Sequence, residues 1–205
     1  MKKYLLLIVL FSSICFAHNP NTSTIMLVEK ENNTWVLQIS ASLTAFQQVI
    51  KTNFAETPYK TPEEFQQMVI EHIKNNLTIT FNGNQNIAFS KGIVKLGHET
   101  KVVFEILGVP LDIKTVLIKN STFKDIYKNQ SGMLLLKSGF KKEHFILNNK
   151  NNHTLKLIAD VDQFVIEGEN DAPNSNTILY VLVTLVTIGL LFIILNRKKN
   201  SYKNN

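Results

Sequence analysis

Eighteen consecutive residues near the C-terminal end, Ile178 to Leu195, carry no charge, and their only polar side chains are Tyr180, Thr184 and Thr187. At about 1.5 Å per residue a helix of that length reaches roughly 27 Å, close to the hydrocarbon thickness of a bilayer. A helix apolar on every face for so long is read as a membrane span rather than as the core helix of a small domain. Arg197, Lys198, Lys199 and Lys203 follow the run at once, whereas Glu167, Glu169 and Asp171 precede it. Cationic flanks stay on the cytoplasmic side, so the preceding domain is expected outside.

The other end requires the same topology. Lys2 and Lys3 open the chain, Tyr4 to Phe11 form a short apolar run, and Cys15-Phe16-Ala17 places small residues at −3 and −1 of a cleavage site. These are the parts of a secretory signal. Cleavage after Ala17 would leave His18 first. The apolar run is shorter than the ~20 residues that span a bilayer, which argues against an uncleaved anchor. Ile14 before Cys15 is too bulky for a lipidation box, and no Leu-Pro-x-Thr-Gly stands before Ile178 to mark a cell-wall sorting tail.

The expected organisation is therefore a signal peptide over 1–17, an extracytoplasmic β-rich domain over 18–166 and a tether over 167–177. A single transmembrane helix over 178–195 and a basic cytoplasmic tail over 196–205 complete it. The expected location is the inner cell membrane, with the domain periplasmic and membrane lipid as the partner of 178–195.

Net charge is +6. Six of the 22 Lys and Arg residues lie in the two ends, so 16 lysines in the segment 18–176 face all 16 acidic residues. That segment is neutral, which removes the electrostatic footprint of a nucleic-acid binder. The only cysteine, Cys15, lies in the expected signal, leaving the mature chain without disulfides or thiolate sites. A domain of about 150 residues can stand on its core alone, burying roughly 70% of its unfolded surface.

Within the domain the pattern is mostly strand. Trp35-Leu37-Ile39-Ala41 alternates with Val36-Gln38-Ser40-Ser42, and Ile25 to Val28 precedes it across Glu31-Asn32-Asn33 as a hairpin. Phe46, Val49 and Ile50 then fall at helical spacing. Thr61-Pro62-Glu63-Glu64 starts a second helix, with Thr61 as cap, Pro62 at the first position and Glu64 closing a capping box. Phe65, Met68, Val69, His72 and Ile73 form its apolar face, and it ends near Asn75-Asn76. Leu77-Ile79-Phe81 leads to Asn82-Gly83, a type I′ hairpin dipeptide answered by Ile87 and Phe89.

Further strands are expected at Val94 to Leu96, Val102 to Ile106, Ile113 to Ile118, Met133 to Leu136, Phe145 to Leu147 and Leu155 to Ala159, with a short helical turn over 121–130. Eight or nine short strands with turns every ~8–12 residues imply a β-sandwich. The expected fold is a mostly β (α+β), immunoglobulin-like β-sandwich with a helical insertion, followed by the membrane helix.

Three stretches, His18 to Ala41, Leu96-Gly97-His98-Glu99-Thr100 with its strand to Ile106, and Asn120 to Gln130, resemble a family of small exported Bacteroidetes-type proteins that share a domain of unknown function. The resemblance spans most of the external domain. It implies a β-rich exported domain beginning with His and brings no activity and no catalytic residues. Relatives of that type often lack a C-terminal membrane helix, so Ile178 to Leu195 departs from the pattern.

No motif carries catalytic mechanics. Gly-x-Ser-x-Gly, His-Glu-x-x-His and phosphate-cradling glycine loops are all missing from the sequence. Glu63 and Glu64 are explained by capping and the helix dipole. The sharpest chemical candidate is His18, whose free amine and ring nitrogen could share a copper or zinc ion with a second imidazole, His98 first and His144 or His153 otherwise. His72 reads as a partly buried, hydrogen-bonded helix-face residue. The expectation is a non-enzymatic, membrane-anchored interaction or accessory domain with a protein partner in the envelope. Metal handling through His18 and His98 is the second class, and a hydrolase whose site converges only in the fold is the third.

Overall fold

The computed structural model describes residues 21–168, together with 183–185 and 187–188. The expected signal, most of the tether, most of the span and the tail lie outside the described residues, and so does His18. The chain divides into one compact unit ending at Val165 and a second beginning at Ile166.

Within the first unit β1 (Thr22–Glu29) and β2 (Trp35–Ser42) form an antiparallel hairpin, with Leu27 opposite Leu37 and Ile25 opposite Ile39. The 3₁₀ turn Glu31–Asn33 joins them, and Asn32 and Asn33 take its positive φ values of 57° and 55°. Asparagine tolerates that left-handed region better than other non-glycine residues. Helices α1 (Leu43–Asn53) and α2 (Pro62–Asn76) follow. Then come β3 (Leu77–Phe81), β4 (Gln85–Asn86), β5 (Ala88–Phe89), β6 (Ile93–Lys95) and β7 (Glu99–Leu107). The last strands are β8 (Thr115–Asn120), β9 (Gln130–Leu136), β10 (His144–Asn148), β11 (Thr154–Asp160) and β12 (Gln163–Ile166).

These strands make two sheets. One has seven strands in the order β10-β9-β1-β2-β7-β5, with β6 also paired to β7, and the other has five in the order β12-β11-β8-β3-β4. Period-two alternation sends Ile25, Leu27, Trp35, Leu37, Ile39, Val102, Phe104, Met133 and Leu135 to one face of the wider sheet, all but fully buried. Ile79, Phe81, Val116, Ile118, Leu155 and Leu157 answer from the narrower one. Trp35 on β2 meets Phe81 on β3 with ring centroids 6.5 Å apart, and the Asn120 amide on β8 donates to Ser131 Oγ on β9 at 3.1 Å. Burying each large side chain in this layer contributes roughly 1.5–3 kcal/mol.

The helical pair covers what the narrower sheet leaves open. α1 turns Ala45, Phe46, Val49 and Ile50 inward, and Phe46 meets Phe123 edge-on at 5.0 Å. α2 buries Phe65, Val69, His72 and Ile73, and Lys74 Nζ lies 5.8 Å from the Phe104 ring on β7. A methyl group placed on Gly92, just before β6, would stand 2.6 Å from Phe104 and 3.0 Å from Ile70, so only glycine lets that segment pass between sheet and helix.

A mostly β sandwich decorated by two helices is what the alternation implied. The two sheets show the sandwich and not the finer immunoglobulin-like arrangement. One pairing that alternation does not announce is parallel, β1 with β9, with Ile25 opposite Met133. Three local expectations also change. Residues 121–129 form successive tight turns, with Lys124, Ile126 and Asn129 N–H groups bonding to the carbonyls of Ser121, Phe123 and Ile126, and no helix, and Gln130 already opens β9. The Asn82-Gly83 hairpin has a three-residue loop, because Phe81 pairs with Gln85. Its return segment then divides between the sheets, β4 pairing with β3 and β5 with β7.

In the second unit, residues 183–185 and 187–188 are helical and exposed, and Thr187 Oγ1 donates to the Thr184 carbonyl at 2.8 Å. Among the described residues no helix is long and apolar enough to cross a membrane.

Candidate functional site

The same pleat that buries one face of the seven-stranded sheet presents the other. Met26 and Val28 on β1, Val36 on β2, Val103 on β7, and Leu134 and Leu136 on β9 point outward and are half-buried. Ile93 on β6 is 69% exposed, Ile146 on β10 is 45% exposed, and Leu107 at the end of β7 is 52% exposed. The narrower sheet differs. Its outward side shows Thr78, Lys119 and Thr154 in one register row, and Thr80, Leu117 and Lys156 in the next. The outer face of the wider sheet is thus a mixed one, with apolar side chains of several strands set among Gln38, Thr24, Lys101 and Glu105. Exposed apolar side chains grouped and rimmed by polar ones in this way mark interaction sites on folded domains.

The histidines are dispersed. His98 is exposed in the turn before β7, at a small polar pocket of about 180 Å3 that it shares with Thr22, Thr24, Ser42 and Glu99. His144 lies on the outer apolar face, its ring over Gly132, where an added methyl group would stand 2.8 Å from Nε2. His153 is buried in the turn between β10 and β11, with Nε2 donating to Asn149 Oδ1 at 2.7 Å. Burial holds its pKa below the usual histidine range, and Lys124 adds to the effect. Of the three partners considered for His18, His98 is therefore the one beside the start of β1, four residues after His18. Among the described residues no group of three or more His, Cys, Asp or Glu side chains could hold a metal ion.

His72 belongs to a buried polar network. Its Nε2–H donates to the Thr122 carbonyl at 2.8 Å, which can only accept, so Nδ1 is left to accept from the Asn76 amide at 3.3 Å. Ser121 Oγ donates to Asn76, and the Asn120 amide oxygen accepts from Thr122 N–H. Ser23 and Ser131 hydroxyls meet at 2.7 Å in the core. Neither His72 nor His153 is bonded to a Ser or Thr hydroxyl, so neither forms the nucleophile–base pair of an acyl-transfer site. The network ties α2 to the turns after β8, and the sequence alone could not show it, because its members converge from four separate segments.

A groove lies on the helical pair. It encloses about 530 Å3 between α1, the following loop and α2, and is lined by Ile50, Phe54, Ala55, Pro58, Tyr59 and Met68, with Gln47, Lys51 and Thr57 as its polar groups. Tyr59 packs on Phe65 with ring centroids 4.8 Å apart, which holds the loop against α2. The spacing of Phe46, Val49 and Ile50 signalled α1 in the sequence, but nothing signalled the loop that closes this groove.

No family model matches the chain, and no curated protein matches it.

Proposed function

We propose that this chain is an exported, membrane-tethered interaction domain whose partner docks on the outer face of the seven-stranded sheet. The role fits an accessory to a transporter or another envelope assembly. The observation that carries it is the row Leu134, Met26, Val103 and Ile93 on that face, apolar except for Gln38 between Met26 and Val103, set against the more polar outer face of the other sheet. The charge-free run Ile178 to Leu195 and its basic flank support the tether, and the neutral domain is in keeping with a protein rather than a nucleic-acid partner. The likeness to exported domains of unknown function adds no activity to this reading.

The test is recovery of the tagged full chain from membranes in mild detergent, beside Val103→Lys and a control, Leu117→Lys, on the opposite sheet. A complex that survives Leu117→Lys and is lost with Val103→Lys supports the reading. A lone monomer at native expression in every case sinks it.

A second reading is copper or zinc binding through His18 and His98. It draws on the position of His98 beside Thr22, where the chain from His18 joins the sheet. Cu(II) titration of the processed full chain tests it. Binding weaker than micromolar, or unchanged in His98→Ala, would remove it.

A further inference from the structure

The registers across the seven-stranded sheet place its outward side chains in straight rows. The central row runs Leu134, Met26, Gln38, Val103 and Ile93 over five adjacent strands. On one side lies the row Gly132, Thr24, Ser40, Lys101 and Lys95. On the other lies Leu136, Val28, Val36 and Glu105. We propose that the partner on this face is a second copy of the same chain, related by a two-fold axis lying along the central row.

Such an axis leaves each strand over its own copy with direction reversed, so the row before the centre meets the row after it. Each central residue faces itself, which stacks Leu134, Met26, Val103 and Ile93 on their own copies and brings the two Gln38 amides together, where they can hydrogen-bond to each other. Thr24 meets Val28 and Lys101 meets Glu105, while Val36 lies over the position of Ser40, whose side chain is buried and accepts from the Gln38 amide. That last pairing answers an imbalance within one chain. Lys95 and Lys101 are directly opposite on β6 and β7, where like charges repel. Lys101 has a partial answer in Glu99 at 3.7 Å. Lys95 and Glu105 stand in no ion pair among the described residues. A second copy brings Glu105 to the lysine pair twice over, once for each half of the interface. An isologous contact needs this self-complementarity. The same balance, Lys95 and Lys101 against Glu99 and Glu105, argues against an anionic lipid surface, which attracts clustered cations.

This inference rests on the interaction reading above and names its partner. The mature chain lacks cysteine, so a single introduced thiol reports unambiguously. Facing sheets stand about 10 Å apart, too far for a direct disulfide, so a short bismaleimide is the probe. In the full chain, in membranes, Val103→Cys is expected to cross-link to itself while Leu117→Cys on the opposite sheet stays single. Lys101→Glu and Glu105→Lys, each added to Val103→Cys, lower the cross-linked fraction roughly tenfold, because like charges then meet across the axis. The double swap Lys101→Glu/Glu105→Lys restores it, which a different protein partner or a lipid surface would not do. Absence of the Val103→Cys product, or a double swap no better than the single ones, overturns self-association. If Val103→Lys still abolishes recovery of another envelope protein, the interaction reading survives that failure. If it abolishes nothing, both fall together.

Discussion

At the scale of single residues, His72 shows how a helix-face histidine becomes part of a fold. The spacing of Phe65, Val69, His72 and Ile73 puts it on the buried face of α2, and that much is legible in the sequence. Its partners are not, since Thr122 lies 50 residues away and arrives only when the turns after β8 close. Burial lowers its pKa, outweighing the opposing pull of the Thr122 carbonyl and Asp125. The sign follows from linkage. In the unfolded chain the ring titrates near ~6.5, so below that pH the unfolded state takes up a proton that the native state refuses. The stability contribution is complete above about pH 6.5 and is lost as the pH falls toward the lower native pKa. His153 acts in the same direction. Urea unfolding should therefore show lower stability at pH 5 than at pH 7.5. His72→Gln, which can still donate to Thr122, should cost about 1–2 kcal/mol at pH 7.5 and flatten the pH dependence without abolishing it, because His153 remains. An unchanged slope would show that His72 is not among the titrating groups.

Elements were more legible than their joints. The cap of α2 is an instance. Thr61 Oγ1 accepts from Glu64 N–H at 3.2 Å and Pro62 occupies the first helical position, as the motif implied. Glu64, however, accepts from Lys60 N–H at 2.6 Å rather than from Thr61, so the box closes one residue earlier. Thr61→Ala should lower the unfolding free energy by about 1 kcal/mol in chemical denaturation. The start of α1 has an equivalent cap, with Ser42 Oγ accepting from Ala45 N–H at 3.1 Å. Ser42 continues the alternation of β2, which hides its second role, and it serves both elements. The Asn82 loop is misread for a related reason. Asn82 Oδ1 accepts from the N–H groups of Lys114 and Thr115, and its amide donates to the Asp112 carbonyl. A turn residue recruited by a distant loop follows that loop's geometry and not the two-residue rule. Asn82→Ala removes three such bonds and should destabilise the domain by about 1–3 kcal/mol, measurable in the same unfolding experiment.

For the whole molecule, alternation announced a sandwich but not which sheet would be the wider. That depends on the parallel pairing of β1 with β9, which no local pattern encodes. The outer apolar face was hidden for the same reason. Val36, Val103 and Leu134 each look like an occasional apolar residue on the solvent side of a strand, and only register joins them. Charge, by contrast, is fully legible, and it leads to the remaining prediction. The net +6 resides in the two ends of the chain, so under the membrane-tethered reading proposed above the orientation depends on Arg197, Lys198, Lys199 and Lys203 rather than on any feature of the sandwich. With Leu117→Cys as an exposed reporter, intact cells should be labelled by a membrane-impermeant maleimide. Replacing the four tail cations with Gln should weaken retention of the tail on the cytoplasmic side and lower correctly oriented, labelled protein, because the bias toward the inner face comes from Lys and Arg near the end of a span. The same replacement should leave the urea midpoint of the sandwich unchanged, since none of its described contacts involves those residues. Labelling unaffected by the loss of all four charges would mean that the N-terminal signal alone sets the orientation, and the tail would then carry no topological role.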